Sequence, residues 1–278
     1  ENEAIQIKAA FSYTSIENAK KNFDAEALEL NFEEAKEKAK KNWSEELNKI
    51  QVSGSTKENR IKFYTGLYHA LLGRGVANDV NGNFPENDGS IGQIPLDKSG
   101  KPTFSFYNTD SVWGAFWNLT QLWSLAWPEY YNDFVQSHLA VYKNSGWTAD
   151  GLANSRYVSG VGTNFVGLVI ASAYQSGIRN YDVELAYKAA YENEISYVDR
   201  KEGAGKLDLG QFVNNGYIDY VPGWETTAKG SGFSVSHTLE YSFSSYAVAQ
   251  FAKSLGKNED YEKLMKLSEN WKNLYDKS

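Results

Sequence analysis

The sequence predicts an all-α chain, built as part of an (α/α)6 toroid of helix pairs and entered through a short N-terminal strand or linker. Helical apolar spacing recurs in segment after segment from Ser15 to the C-terminus. The connections between those segments alternate between tight turns and long irregular stretches. No repeat of constant period joins them, which sets aside tetratricopeptide-like solenoids. In a ring of helix hairpins the tight turns gather at one end and the long connectors at the other, where they form a shallow crater. About eight or nine helices are counted from the apolar period, fewer than a closed ring of six hairpins needs.

The elements follow in order. Residues 1–14 alternate around Ile5, Ile7 and Phe11, a strand period that would need a partner sheet. Helical spacing begins at 15–28 and is strong at 32–50, where acid and base pairs at i,i+4 mark a solvated face. Phe63, Leu67, Tyr68 and Leu71 make one apolar stripe at 61–72, and this helix pairs with the preceding one. Residues 74–103 are rich in Gly, Asn, Asp and Pro and read as an irregular loop holding one hairpin. Helices return at 111–127, 129–144, 162–177 and 183–199. A second irregular insertion spans 200–233. Two helices close the sequence at 234–256 and 260–277, with Ser234 or Ser236 as N-cap and Gly256 as C-cap of the first.

Bulk properties exclude several classes of function. At 278 residues, 41% hydrophobic and 15% aromatic, the composition is globular and the chain can bury a sizeable core. A net charge of -7 argues against nucleic acid, because phosphate neutralisation needs a basic face. No apolar run reaches bilayer length, so no membrane span is expected. No leader is recognisable at Glu1, and the chain reads as a mature or excised piece. Zero cysteines exclude disulfides and a thiol nucleophile. The three histidines are scattered without zinc spacing; His69 and His138 sit beside apolar residues, and His237 reads as a structural hydrogen-bonding group.

Aromatic residues crowd the stretch from Thr103 to Tyr174, where Trp113, Trp117, Trp123, Trp127 and Trp147 alternate with Asn, Asp, Ser and Gly. Such a wall suits sugar rings, which present a weakly apolar face inside a rim of hydroxyls. Trp117, Trp123 and Trp127 fall on helical spacing and are assigned to packing, whereas Trp147 follows a Ser-Gly turn and is a candidate stacking wall. Asp110, just before a helix, reads as its N-cap. Glu240, near a helix start, reads as an acid stabilised there by the dipole.

Six segments, in order and nearly end to end, resemble glycoside hydrolase family 92, the calcium-dependent exo-α-mannosidases. They begin at NFDAEALELNFEEAKEKAKKNWSEELNKIQV, KFYTGLYHALL and DVNGNFP, continue through NTDSVWGAFWNLTQLWSLAWPE and VIASAYQSGIRNYDVELAYKAA, and end at SVSHTLEYSFSSYAVAQFAKSLGKNEDYEKLMKLSENWKNLYD. The resemblance implies an N-terminal β-sandwich followed by an (α/α)6 barrel. Residues 1–30 would then be the linker remnant of the sandwich, and 31–278 the first part of the barrel. It implies an inverting hydrolase with two carboxyls roughly 6.5–9.5 Å apart. It also implies a bacterial enzyme of the periplasm or exterior that acts on mannose-containing glycans. Its partners would be the sandwich and the remainder of the barrel from the same parent chain.

By the same resemblance Glu240 matches the glutamate associated with calcium, and Asp110 and Trp113 match residues that contact the sugar. The general acid belongs in the loop GLANSRYVSGVG, which holds Arg156 and Tyr157 and no glutamate. Members lacking that acid favour leaving groups of low pKa, such as mannosyl phosphodiesters, which depart without protonation. Arg156 would pair with the phosphate bidentately. The base belongs in a Pro-His-Asp segment that this sequence does not contain. The catalytic pair is therefore left unassigned, Glu225 standing as a weak substitute acid, and the chain alone is expected to be inactive. The rival reading is a non-catalytic carbohydrate-binding toroid.

Overall fold

A computed structural model describes residues 5–72, 75–109, 112–158 and 162–275. The chain forms two compact units, Glu1–Tyr107 and Asn108–Ser278.

The first unit holds three helices and a hairpin: α1 (Ile16–Glu26), α2 (Phe32–Leu47), α3 (Lys57–Leu71), β1 (Asn83–Pro85) and β2 (Ile91–Gln93). Ser15 caps α1, Thr56 caps α3, and Asn31 with Glu34 forms a capping box on α2. The hairpin expected within 74–103 is present. No strand forms at 5–14, where Ile5, Ile7 and Phe11 stay exposed. Alternation makes a strand only when a neighbour supplies a ladder, and no described residue pairs with this segment. The segment is held by side chains instead. Asp79 accepts from Ser12 and Thr14 on one carboxylate oxygen and from Asn22 on the other.

The second unit contains α4 (Val112–Ala115), α5 (Leu119–Ala126), α6 (Pro128–Ser145), β3 (Gly151–Ala153), β4 (Arg156–Val158), α7 (Val166–Gln175), α8 (Val183–Ile195), α9 (Leu209–Asn215), β5 (Thr226–Thr227), β6 (Gly230–Ser231), α10 (Ser234–Ser254) and α11 (Asn258–Ser268), with a 3-10 turn at Asn270–Leu274. Sequential pairs α5–α6, α7–α8 and α10–α11 pack on each other through short connections, and α7 also packs on α10, as the toroid reading requires. α7 is buried along nearly its whole length, and every residue from Val166 to Ala171 lies in the interior. Gly167 makes this possible. A Cβ there would stand 3.2 Å from Val248 and 3.4 Å from the Ala190 carbonyl, so α8 and α10 close onto bare backbone.

Four expectations need correction. The single helix expected at 111–127 is broken: Asn118 leaves helical geometry at φ -156, and its carbonyl restarts the ladder by accepting from Leu122. Gly114 and Asn118 are weak helix formers close to the break. Trp117, assigned to packing, is 75% exposed, whereas Trp123 and Trp127 are buried. The insertion at 200–233 contains α9 and the β5–β6 hairpin. α10 starts at Ser234 with Phe233 in the N-cap position and no side-chain cap, so neither serine fills that role. Gly256 lies just beyond the end of α10.

Candidate active site

The long connectors between α6 and α7 and between α8 and α10 meet at one end of the second unit, and Asn164 ties them together. Its buried amide donates to the Thr148 carbonyl, to Asn193 Oδ1 and to the Ala204 carbonyl, each at 3.0 Å. Three separate backbone segments thus share one side chain, and their geometry is fixed without regular structure.

Beneath this hub lies a buried charged centre. Lys206 Nζ stands 2.6 Å from Glu194 Oε1, and Ser244 and Ser245 donate to Glu194 Oε2 at 2.8 and 3.0 Å. Burial pushes the Lys206 ammonium pKa down, against the pull of Glu194. Alongside, Asp208 takes His237 Nδ1 at 2.8 Å on one oxygen and the Tyr241 hydroxyl at 2.7 Å on the other. His237 is thereby a hydrogen-bonded structural group, as its sequence context suggests. Gly162, at φ +75, lets the chain pass over it, for a Cβ would fall 2.8 Å from His237 Cε1.

Asp150 connects this centre to the aromatic wall. It is 1% exposed, and its carboxyl accepts the Phe165 N–H at 2.8 Å and the Trp113 N–H at 3.2 Å. Its own carbonyl accepts from Val112 N, so it caps the short α4 from outside. Burial drives its pKa up to about 7, the two backbone donors and Lys206 pull it down, and the charge of Glu240 adds to the rise.

Among the residues singled out in the sequence, Trp113 is 42% exposed on α4, and Glu240 is half-buried on α10. The field of Glu240 at Asp150 places both in one electrostatic neighbourhood. Glu240 makes no hydrogen bond or ion pair among the described residues. Burial raises its pKa, while His237 and Lys206 lower it. Trp147 lies under the guanidinium of Arg200, 4.9 Å from ring centre to Cζ. Arg156 and Tyr157 stand on β4, where a two-residue turn at Asn154 and Ser155, both at positive φ, closes the β3–β4 hairpin. Arg156 points to solvent, whereas the Tyr157 hydroxyl turns inward to Ser145 and the Trp147 carbonyl. Glu225 is exposed ahead of β5. Asp110 lies outside the described residues.

Sequence reasoning passed over Asp150, Asn164, Arg200, Lys206 and Asp208, all of them in connectors. Opposite charges scattered through the glycine-rich run at 199–208 were the available signal, and they read equally as a solvated loop.

Residues 18–278 match the glycosyl hydrolase family 92 catalytic domain. The chain belongs to glycosyl hydrolase family 92. Two solved family 92 structures from Bacteroides thetaiotaomicron are similar to it. One is an α-mannosidase in complex with mannoimidazole, 25% identical, with a TM-score of 0.80 over 95% of this chain and 32% of that one. The other is an inverting mannosidase, also 25% identical, with a TM-score of 0.80 over 95% of this chain and 34% of that one. An uncharacterized secreted glycosidase of Arthroderma benhamiae is 34% identical over 161 residues, 55% of this chain and 20% of that protein. The chain thus spans about a third of the solved family members and a fifth of the secreted one.

For a family 92 chain the question is whether these residues fit calcium. A partly desolvated carboxylate with no partner, as at Glu240, suits a cation ligand. Calcium takes six to eight oxygens, and no group of three or more His, Cys, Asp or Glu able to hold a metal occurs among the described residues. Glu240 offers one carboxylate of the several oxygens that calcium takes, and the described residues do not by themselves make up such a site. No helix among the described residues is long and apolar enough to cross a membrane.

Proposed function

We propose that this family 92 chain belongs to an inverting, exo-acting, calcium-dependent α-mannosidase, exported to the periplasm or exterior of a bacterium. Its residues 1–30 form the linker to a β-sandwich, and 31–278 the first part of the barrel. The observation that carries the reading is that two solved relatives, each superposing on 95% of the chain, are mannosidases. The substrate is a mannose-containing glycan.

Trp113 and Trp147 supply stacking surface for the sugar, and Asp110 a hydroxyl acceptor. Glu240 would help hold the calcium, which when bound grips two hydroxyls of mannose. At the place of the general acid this chain offers Arg156, exposed, and Tyr157, whose hydroxyl is engaged with Ser145 and Trp147. That pairing favours a substrate whose leaving group needs no proton, such as a mannosyl phosphodiester, with Arg156 on the phosphate. The same observation supports a second reading, a toroid that binds mannosides without cleaving them.

Proton NMR of the intact enzyme acting on α-mannosides and mannosyl phosphodiesters tests the proposal. β-Mannose as the first product, released faster from the phosphodiester, is expected. An α-anomer or an unsaturated product would overturn it, and saturable binding without turnover would establish the second reading.

A further inference from the structure

Among the described residues Arg200 has no carboxylate hydrogen-bonded to it, and its guanidinium is spent almost entirely on backbone. Nε donates to the Gly205 carbonyl at 2.6 Å, and Nη1 to the Ser196 and Asn193 carbonyls at 3.0 and 3.4 Å. Nη2 donates to Asn193 Oδ1 and to the Ala204 carbonyl. The fork therefore locks the exit of α8 to the 203–206 turn, with the guanidinium over the indole of Trp147. A planar cation on an aromatic face is held by the ring quadrupole and fixes the ring plane. The Trp147 backbone is pinned as well, because its carbonyl accepts from Tyr157. The same Asn193 that receives Arg200 receives Asn164, so the ring is referenced to the hub of the site.

We propose that Arg200 is the positioning residue for Trp147: its backbone-locked guanidinium holds one face of the indole so that the other is presented, pre-oriented, to a hexose ring. This rests on the mannoside reading above. Preorganisation of this kind acts on binding, because an indole that must be ordered by the sugar costs affinity and leaves the reacting bonds untouched. Lysine keeps the charge and lacks the planar fork, so it can replace arginine here only in part.

The test is steady-state kinetics of the intact enzyme carrying Arg200→Met, Arg200→Lys, Trp147→Ala and the double variant Trp147→Ala with Arg200→Met. Arg200→Met and Trp147→Ala should each raise KM for an α-mannoside about fivefold, the size of a lost aromatic contact, with kcat within about twofold. Arg200→Lys should fall in between, and the double variant should be no worse than Trp147→Ala. The tryptophan emission change on adding mannose should shrink in Arg200→Met. An unmoved KM in the arginine variants, or losses that add in the double variant, would overturn the inference. If Arg200→Met does not fold, Arg200→Lys and Trp147→Ala decide it: KM at the wild-type value in either overturns it. An enzyme that neither binds nor cleaves any mannoside overturns the functional reading, and this inference with it.

Discussion

Lys206 and Glu194 meet at 2.6 Å with no part of either side chain in contact with solvent. Two serines of α10 complete the carboxylate and one of them also takes the ammonium, so the pair is satisfied within one cluster. Removing one partner leaves a bare charge in the interior. Lys206→Met should lower the unfolding free energy in urea by about 3–5 kcal/mol. Replacing both residues with apolar ones of similar volume should recover most of that loss. A single variant as stable as wild type would show that the pair is not held as described.

Trp123 and Trp117 lie six residues apart and differ completely in environment. Trp123 packs against Tyr130, Tyr131 and Phe134 and is 1% exposed, while Trp117 rests on Phe116 with most of its surface in water. Trp123→Ala should cost about 3–5 kcal/mol. Trp117→Ala should change stability by no more than about 0.5 kcal/mol. Equal losses in urea titrations would contradict the exposure of Trp117 and the burial of Trp123.

His138 and Asp150 give opposite pH dependences. His138 is buried with neither ring nitrogen bonded, and burial lowers its pKa from 6.5 to about 3. Its contribution is present above 6.5 and is lost as pH falls toward 3, because the unfolded chain takes up the proton first. Asp150, raised from 3.8 to about 7, contributes stability that is present below 3.8 and is lost as pH rises toward 7. Each has a limiting slope of about 1.4 kcal/mol per pH unit, and between about 4 and 6.5 the two cancel. Unfolding free energies measured across that range should rise with pH more steeply in Asp150→Asn than in wild type, and rise less or fall in His138→Phe. Parallel profiles for all three would refute the assignment.

Periodicity made the helical unit legible, because α6, α8 and α10 each run through several turns with one face buried. α9 was not legible: its seven residues bury only Leu209 and Phe212, and a single i,i+3 pair does not establish a period. The strand expected near Ile5 and Ile7 shows the opposite failure, a clear pattern without a partner. Of the residues proposed for the site, Trp113, Trp147 and Glu240 were visible as residue types in suggestive settings. The groups that orient them were not. Asp150 reaches Trp113 from 37 residues away, and Arg200 and Trp147 are brought together only by the meeting of two connectors.

As proposed above, this end of the helical unit would bind mannose through a calcium ion that Glu240 helps hold. A calcium titration of α-mannoside hydrolysis by the intact enzyme, wild type and Glu240→Gln, tests it most directly. Activity should vanish after chelation, recover fully on adding calcium, and need at least about tenfold more calcium in Glu240→Gln. Undiminished activity in chelator, or the same calcium dependence in the variant, would contradict it.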